Sequence, residues 1–288
     1  MNATYTNSAA FWLCIVALGF SSPLRAQDEP ELGWEFKAQL SSVWVGGNSE
    51  SSSIGFRSSA KRDWKSTSWT TDAGFLRTES TIKSRQAVGT VDSYEIEEET
   101  DRETTAESFF ARTKVDKNLN AKLHLVGGLD WLRNTFSGID SRFLLAAGAG
   151  VTWSDTKELA AKTDLSLTYT FEEDVVENPF ASTKFPGLRA GYDATYQATE
   201  STTLESELIA DWNLDNSDDF RLDWTNAVSV AINSSLALKP STLIQWKNDP
   251  ALQQIALVDS EGVDTGQTVL IPLDKTDWFF NLAIVLTL

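Results

Sequence analysis

The sequence predicts an all-β protein: one transmembrane antiparallel up-and-down β-barrel of about twelve strands. Three observations lead there. From Glu31 onward, apolar side chains recur with period two rather than 3.6, the mark of a strand with one apolar face. The connections between these stretches alternate between tight and long, so the long ones all fall at one end of the sheet, as in outer-membrane barrels. Tryptophans gather at strand ends, where an indole with an apolar body and one N–H settles between hydrocarbon and headgroup.

The first strand, GWEFKAQLSSVW, sets Trp34, Phe36, Ala38, Leu40 and Trp44 on one face and Glu35, Lys37, Gln39 and Ser41 on the other. The second repeats the pattern, with Ile54, Phe56, Ala60 and Trp64 against Arg57, Ser59 and Lys61. Continued along the chain, it predicts strands at 32–45, 51–64, 67–79, 104–116, 119–132, 140–154, 158–172, 186–199, 202–214, 219–232, 235–247 and 276–288. Most exceed the usual length of about five or six residues. The connections at 64–67, 116–119, 154–158, 199–202 and 232–235 are tight and carry turn formers such as Asn118, Asp155 and Asn233-Ser234. Those at 80–103, 173–185 and 248–275 are long, and shorter members of that set lie near 46–50, 133–139 and 214–219. An even strand number leaves both termini on the short-turn, periplasmic side.

The last strand, FFNLAIVLTL, alternates Phe280, Leu282, Ile284, Leu286 and Leu288 with Asn281, Ala283, Val285 and Thr287. In a barrel it pairs with the first strand, so neither keeps a free edge in lipid. Its pattern resembles the C-terminal signal read by the barrel insertion machinery, although Leu288 departs from the aromatic residue most common there. A soluble barrel or sandwich also alternates, but with its apolar face inward. Twelve strands enclose too wide a space for that, since about eight already leave an interior that side chains just fill.

Ahead of the barrel, AAFWLCIVALGF (9–20) and SSPLRAQ read as a secretory signal ending at Ala26, although no Lys or Arg precedes the apolar run. The domain organisation is therefore 1–26 signal peptide and 27–288 a single barrel domain. Cys14, in a poor lipoprotein context after Leu13, is the one cysteine, so the exported chain is held together without disulfides. The full chain carries 24 Lys+Arg against 41 Asp+Glu, a net charge of −17. That argues against a nucleic-acid partner, whose phosphates attract basic surface, and against docking by charge onto an anionic leaflet.

Trp34, Trp64, Trp69 and Trp153 mark the short-turn end, and Trp44, Trp131, Trp212, Trp224, Trp246 and Trp278 the long-loop end. They predict two membrane-interface girdles, with outer-membrane lipid as the immediate partner. The opposite face is the predicted lumen wall. Its first half carries Glu35, Lys37, Arg57, Lys61, Asp72, Arg112, Lys114, Lys122, His124 and Asp130. Its second half carries Arg142, Arg189, Asp193, Glu205, Glu207, Asp211, Arg221, Asp223, Lys239 and Lys247. Charges of both signs suit either a lining that selects solutes or a network of pairs that braces the interior. Gly148 and Gly150 thin one strand, which relieves crowding or leaves space for a solute. His124 is the single histidine; as a general base it would need a nucleophile, and no GxSxG occurs. No catalytic set, metal site or cofactor is predicted. The acidic stretches at 94–103, 171–177 and 215–219 form a solvated rim, with divalent-cation bridging to lipid phosphates as their sharper reading.

Three segments carry a resemblance: WVGGNSESSSIGF (44–56), WLRNTFSGIDSRFLLAAGAGVTW (131–153) with its Phe-x-Gly-Ile-Asp-x-Arg loop, and WKNDPAL (246–252). In their order and spacing they resemble the YdiY-like salt-induced outer membrane proteins, a domain-of-unknown-function family. The resemblance implies an outer-membrane location and a link to salt or osmotic stress, and supplies no reaction or active site. Two functions follow as expectations: a narrow passive channel for small solutes, or a non-conducting envelope-stress protein that works through its acidic loops. An outer-membrane hydrolase using His124 is a third, weaker reading.

Overall fold

The computed structural model describes residues 33–45, 50–90, 93–179, 181–258 and 264–287. The signal segment and Leu288 lie outside the described residues. Twelve strands close into one antiparallel barrel. They are β1 (Trp34–Val45), β2 (Glu50–Asp63), β3 (Thr67–Thr90), β4 (Ser93–Asn118), β5 (Leu123–Asn134), β6 (Ile139–Asp155), β7 (Leu159–Asp174), β8 (Lys184–Gln197), β9 (Thr202–Asn213), β10 (Phe220–Ala231), β11 (Leu236–Lys247) and β14 (Thr276–Thr287). Two further strands, β12 (Leu252–Val258) and β13 (Asp264–Pro272), pair with each other inside the connection from β11 to β14. Closure is made by β1 against β14, with Lys37 opposite Thr287 and Ser41 opposite Ala283.

The period-two pattern becomes geometry through register. Phe56 lies opposite Phe75, and Phe75 opposite Phe109, so apolar residues line up around one face. That face is the exterior, where Leu40, Leu145, Leu167, Trp278 and Phe280 are exposed. An exposed belt of large apolar side chains on a closed barrel has hydrocarbon as its natural solvent. The inner face is identified by contacts between strands that are not neighbours in the sheet. Arg112 on β4 reaches Glu207 on β9, which is possible only through the interior.

Along β5 to β8 the inner wall is packed. Val126, Leu144, Phe185, Ser166, Thr168 and Thr170 are all buried. A Cβ on Gly148 would strike the Leu165 carbonyl and Ser166, and one on Gly150 would strike the His124 ring. These glycines relieve crowding and make the place that His124 fills.

Two long connections differ from the expected loops. β3 and β4 run on beyond the barrel wall as a ribbon that turns after Thr90, and 248–275 contains the β12–β13 hairpin. Between 80 and 103 the large apolar residues are few, Ile82, Val88, Val91, Tyr94 and Ile96, too sparse among the charges for the period-two pattern to register. Lys122 sits in the β4–β5 turn and not on a strand, because the Asn120 side chain accepts from the Lys122 and Leu123 amides and lengthens that turn.

This assignment of faces makes a direct prediction. Replacing Leu167, 69% exposed near the middle of β7, by Arg puts a charge into hydrocarbon. Reversible unfolding in lipid vesicles will show a loss of about 2–4 kcal/mol. An unchanged free energy would contradict a lipid-facing Leu167.

Candidate functional site: the charged lumen

Near the long-loop end, Arg221 on β10 is held between two carboxylates. It donates to both oxygens of Asp219 at 2.9 Å and to both oxygens of Glu172 on β7. Lys247 adds a third cation-to-carboxylate contact, 3.3 Å from Glu172. Asp219 belongs to the acidic 215–219 run, and its carboxylate is turned to Arg221 and Asn213. Arg142 lies opposite Glu172 in the register.

The middle tier is built round Arg189 on β8. It clamps Asp211 through two parallel bonds of 2.7 and 2.9 Å and reaches Asp130 on β5 at 2.6 Å. Such paired N–H···O contacts suit the planar guanidinium and fix its orientation. Asp130 is shared with Arg112 at 3.4 Å, and Arg112 continues to Glu207 at 3.3 Å. The chain Asp211–Arg189–Asp130–Arg112–Glu207 therefore links β9 and β8 to β5 and β4 and returns to β9 across the interior. Asp223 accepts from Gln245 nearby.

Toward the short-turn end, Lys162 meets Asp116 at 3.2 Å, Lys114 lies between Asp116 and Asp164, and Lys239 meets Glu205 at 2.5 Å. Asp193 lies opposite Lys162 and Glu207 in the register. His124 is 2% exposed, with Nδ1 3.5 Å from the Thr152 hydroxyl. The ring fills the space left by Gly150 on the neighbouring strand, so His124 is packed into the wall between β5 and β6. The β1–β3 wall differs: Glu35–Lys37, Lys61–Asp63 and Arg57–Asp72 pair within their own neighbourhood. There and at mid-height the side chains keep contact with water, Arg57 at 41%, Arg112 at 35% and Glu207 at 38% exposure, although all three face inward.

One element of the site was not foreseen. After β5, residues 135–137 form a short 3-10 turn that points across the mouth. Phe136 meets Phe279 of β14 edge-on at 5.4 Å, and the Ser137 hydroxyl donates to Asp277 at 2.8 Å. Asn134 donates to Gln245 on β11, six strands away around the barrel. Thr135 exchanges bonds with the Glu107 backbone and ties the turn to β4. The turn closes on Gly138 at φ 73°, where a side chain would be strained and would strike Ala251 and Leu273. These residues form a bar across the long-loop mouth. The signal present in the sequence was the NTFSG stretch, a polar run with a glycine in a place where the chain has to turn inward.

The described tryptophan side chains differ in exposure. Trp34, Trp64, Trp69, Trp153, Trp212, Trp224 and Trp278 are exposed, while Trp131 and Trp246 are half-buried against Phe143 and Phe220. The Trp44 side chain lies outside the described set. Trp224 also donates to the Tyr192 hydroxyl, which joins Ser206 and Asn226 in an outward polar cluster that alternation alone does not reveal. Among the described residues, no group of three or more His, Cys, Asp or Glu is placed to hold a metal ion.

Residues 38–255 match the family model described as "Protein of unknown function, DUF481". No curated protein matches the sequence. Solved structures similar to the chain include the NanC porin, with 9% identity, 88% of this chain and 100% of that chain covered, and a TM-score of 0.48. An outer membrane channel from Pseudomonas putida F1 has 12% identity, 91% and 100% coverage and a TM-score of 0.43. The translocator domain of the autotransporter NalP from Neisseria meningitidis has 11% identity, 90% coverage of each chain and a TM-score of 0.35. No functional assignment rests on these similarities.

The bar is testable by itself. The double variant Ser137→Ala, Asp277→Asn removes its one hydroxyl-to-carboxylate latch without adding bulk. Protease protection of the 134–138 segment in the folded barrel will fall. Protection equal to the parent would show that the latch does not hold the bar.

Proposed function

We propose the following reading for this chain, which belongs to the DUF481 family of proteins of unknown function: it is a narrow passive channel for small polar solutes and ions in the bacterial outer membrane. Both termini and the short turns face the periplasm, and the bar and acidic loops face outward. One observation carries the reading. Arg57, Arg112 and Glu207 face the interior at mid-height and still keep over a third of their side-chain surface open to water. A wholly packed interior would bury them. The path follows the β1–β3 wall, where charges pair locally, and passes the Arg112–Glu207 strut, away from the packed β5–β8 wall. Alternating signs along it favour small zwitterionic or paired ions over a large solute of one charge.

The cross-lumen pairs also suit a salt-dependent conductance. Partly hydrated ion pairs weaken as ionic strength rises, so the Arg112–Glu207 strut loosens when salt is high. This gives the link to salt that the sequence resemblance implies a physical form. A second reading, a non-conducting envelope protein, is favoured by the mouth bar and by the buried Glu172–Arg221–Asp219 cluster, which brace more than they line.

Single-channel recording of the purified protein in planar bilayers separates the two. Small discrete steps are expected, and Arg112→Gln with Glu207→Gln should enlarge them by about twofold or more and flatten their excess salt dependence. A verified folded barrel that stays silent, with and without these substitutions, would sink the channel reading and leave the bracing role.

A further inference from the structure

The net charge of −17 argued against charge-driven contact with an anionic membrane surface, yet the basic residues are unevenly placed. In the lumen almost every cation is matched. Outside it, Arg62, Lys65, Lys117 and Lys122 cluster at the short-turn end of β2 to β5, and none has an acidic partner among the described residues. The acids nearest in sequence face elsewhere: Asp63 pairs with Lys61, and Asp116 pairs with Lys114 and Lys162.

The cluster is also ordered by aromatic side chains. The Arg62 guanidinium lies over Trp34 at 5.1 Å and over Trp64 at 4.9 Å. Trp34 meets Trp69 edge-on at 5.6 Å, and the Trp69 indole N–H donates to Thr113. Register continues the surface sideways: Trp34 lies opposite Arg62, Arg62 opposite Trp69, and Thr67 opposite Lys117. Lys117 in turn lies opposite Leu125, an exposed lipid-facing residue. The patch therefore faces outward, at the level where the apolar belt ends, and not down into the aqueous space. Stacking on two rings holds the guanidinium in place while its N–H edges stay available.

We propose that this basic and aromatic patch is a binding site for the phosphate of an anionic phospholipid headgroup in the leaflet at the short-turn end. Arg62 forms the fixed contact, Lys65, Lys117 and Lys122 add charge around it, and Trp34, Trp64 and Trp69 seat the glycerol and upper acyl region. Charge complementarity selects the occupant. A zwitterionic headgroup offers no net attraction, and a soluble polyanion would have to approach through the membrane side of the wall. The site depends on neither the conduction reading nor the state of the mouth bar. It revises what net charge implied, because a total of −17 is dominated by loops and lumen and hides a local excess of the opposite sign.

Native mass spectrometry of the purified full chain tests it, with phosphatidylglycerol and phosphatidylcholine offered at equal concentration. The wild type should retain phosphatidylglycerol in clear excess. Arg62→Gln with Lys117→Gln should lower that preference about tenfold, while Lys184→Gln, at the opposite end over the Phe171 ring, should leave it unchanged. Equal retention of the two lipids by the wild type would overturn the proposal, as would an undiminished preference in the double variant. Raising the ionic strength on wild type alone should also erase the preference, which keeps the test decisive if the double variant fails to fold. Asp28, Glu29 and Glu31 precede Gly33 in the sequence. A preference that emerges only after those three are changed to Asn or Gln would make that segment the occupant and refute the lipid site.

Discussion

The whole structure depends on one constraint: in hydrocarbon, every backbone N–H and C=O must find its partner within the protein. A sheet meets it only by having no edge. The pairing of β1 with β14 is therefore the condition for every other contact, although it is among the shortest ladders in the barrel wall. Closure forces alternate residues into two solvents. On β2, Ser58 and Ser59 are adjacent in sequence, yet one belongs to the lipid face with Phe56 and Ala60, and the other to the lumen face with Arg57 and Lys61.

Once an inside exists, its chemistry follows from its width. Twelve strands leave more space than apolar side chains fill, so the interior is spanned by long charged residues. The bidentate Arg189–Asp211 and Arg221–Asp219 pairs fix side chains that would otherwise be mobile. Replacing one partner would leave the other charge half-desolvated, so these clusters specify the shape of the interior more than they add net stability. The outcome is asymmetric, with a packed wall along β5 to β8 and a hydrated one along β1 to β4. The bar formed by residues 134–138 crosses the long-loop mouth from the packed wall to β11 and β14.

Much of the fold was legible because membrane strands obey a strict period. The strand from Leu159 to Asp174 reads Leu165, Leu167, Tyr169, Phe171 against Ser166, Thr168, Thr170, Glu172, and the structure separates them in the same way. The inward phase of Arg112, Asp130, Arg189 and Glu207 was equally legible. Their partners were not, because a pairing between β4 and β9 depends on barrel width and shear and on nothing local to either strand. The mouth bar was hidden for a related reason. Phe136 and Phe279 are 143 positions apart, and each looks like an ordinary aromatic near a strand end until closure brings the two walls opposite each other. The β3–β4 ribbon escaped because its few apolar residues are too sparse among charges to carry a period. The basic patch escaped because total charge averages over a surface that is not uniform.

The central claim is that water reaches the middle of the barrel along the β1–β4 wall, and adjacent single cysteines in a Cys14→Ser background test it most directly. Ser59→Cys and Ser58→Cys would each be exposed to a small, charged, membrane-impermeant thiol reagent, with the protein folded in lipid. The account predicts rapid modification at 59 and near-complete protection at 58. Protection at both positions would mean a sealed interior and would contradict a hydrated lumen; modification at both would contradict the lipid-facing exterior.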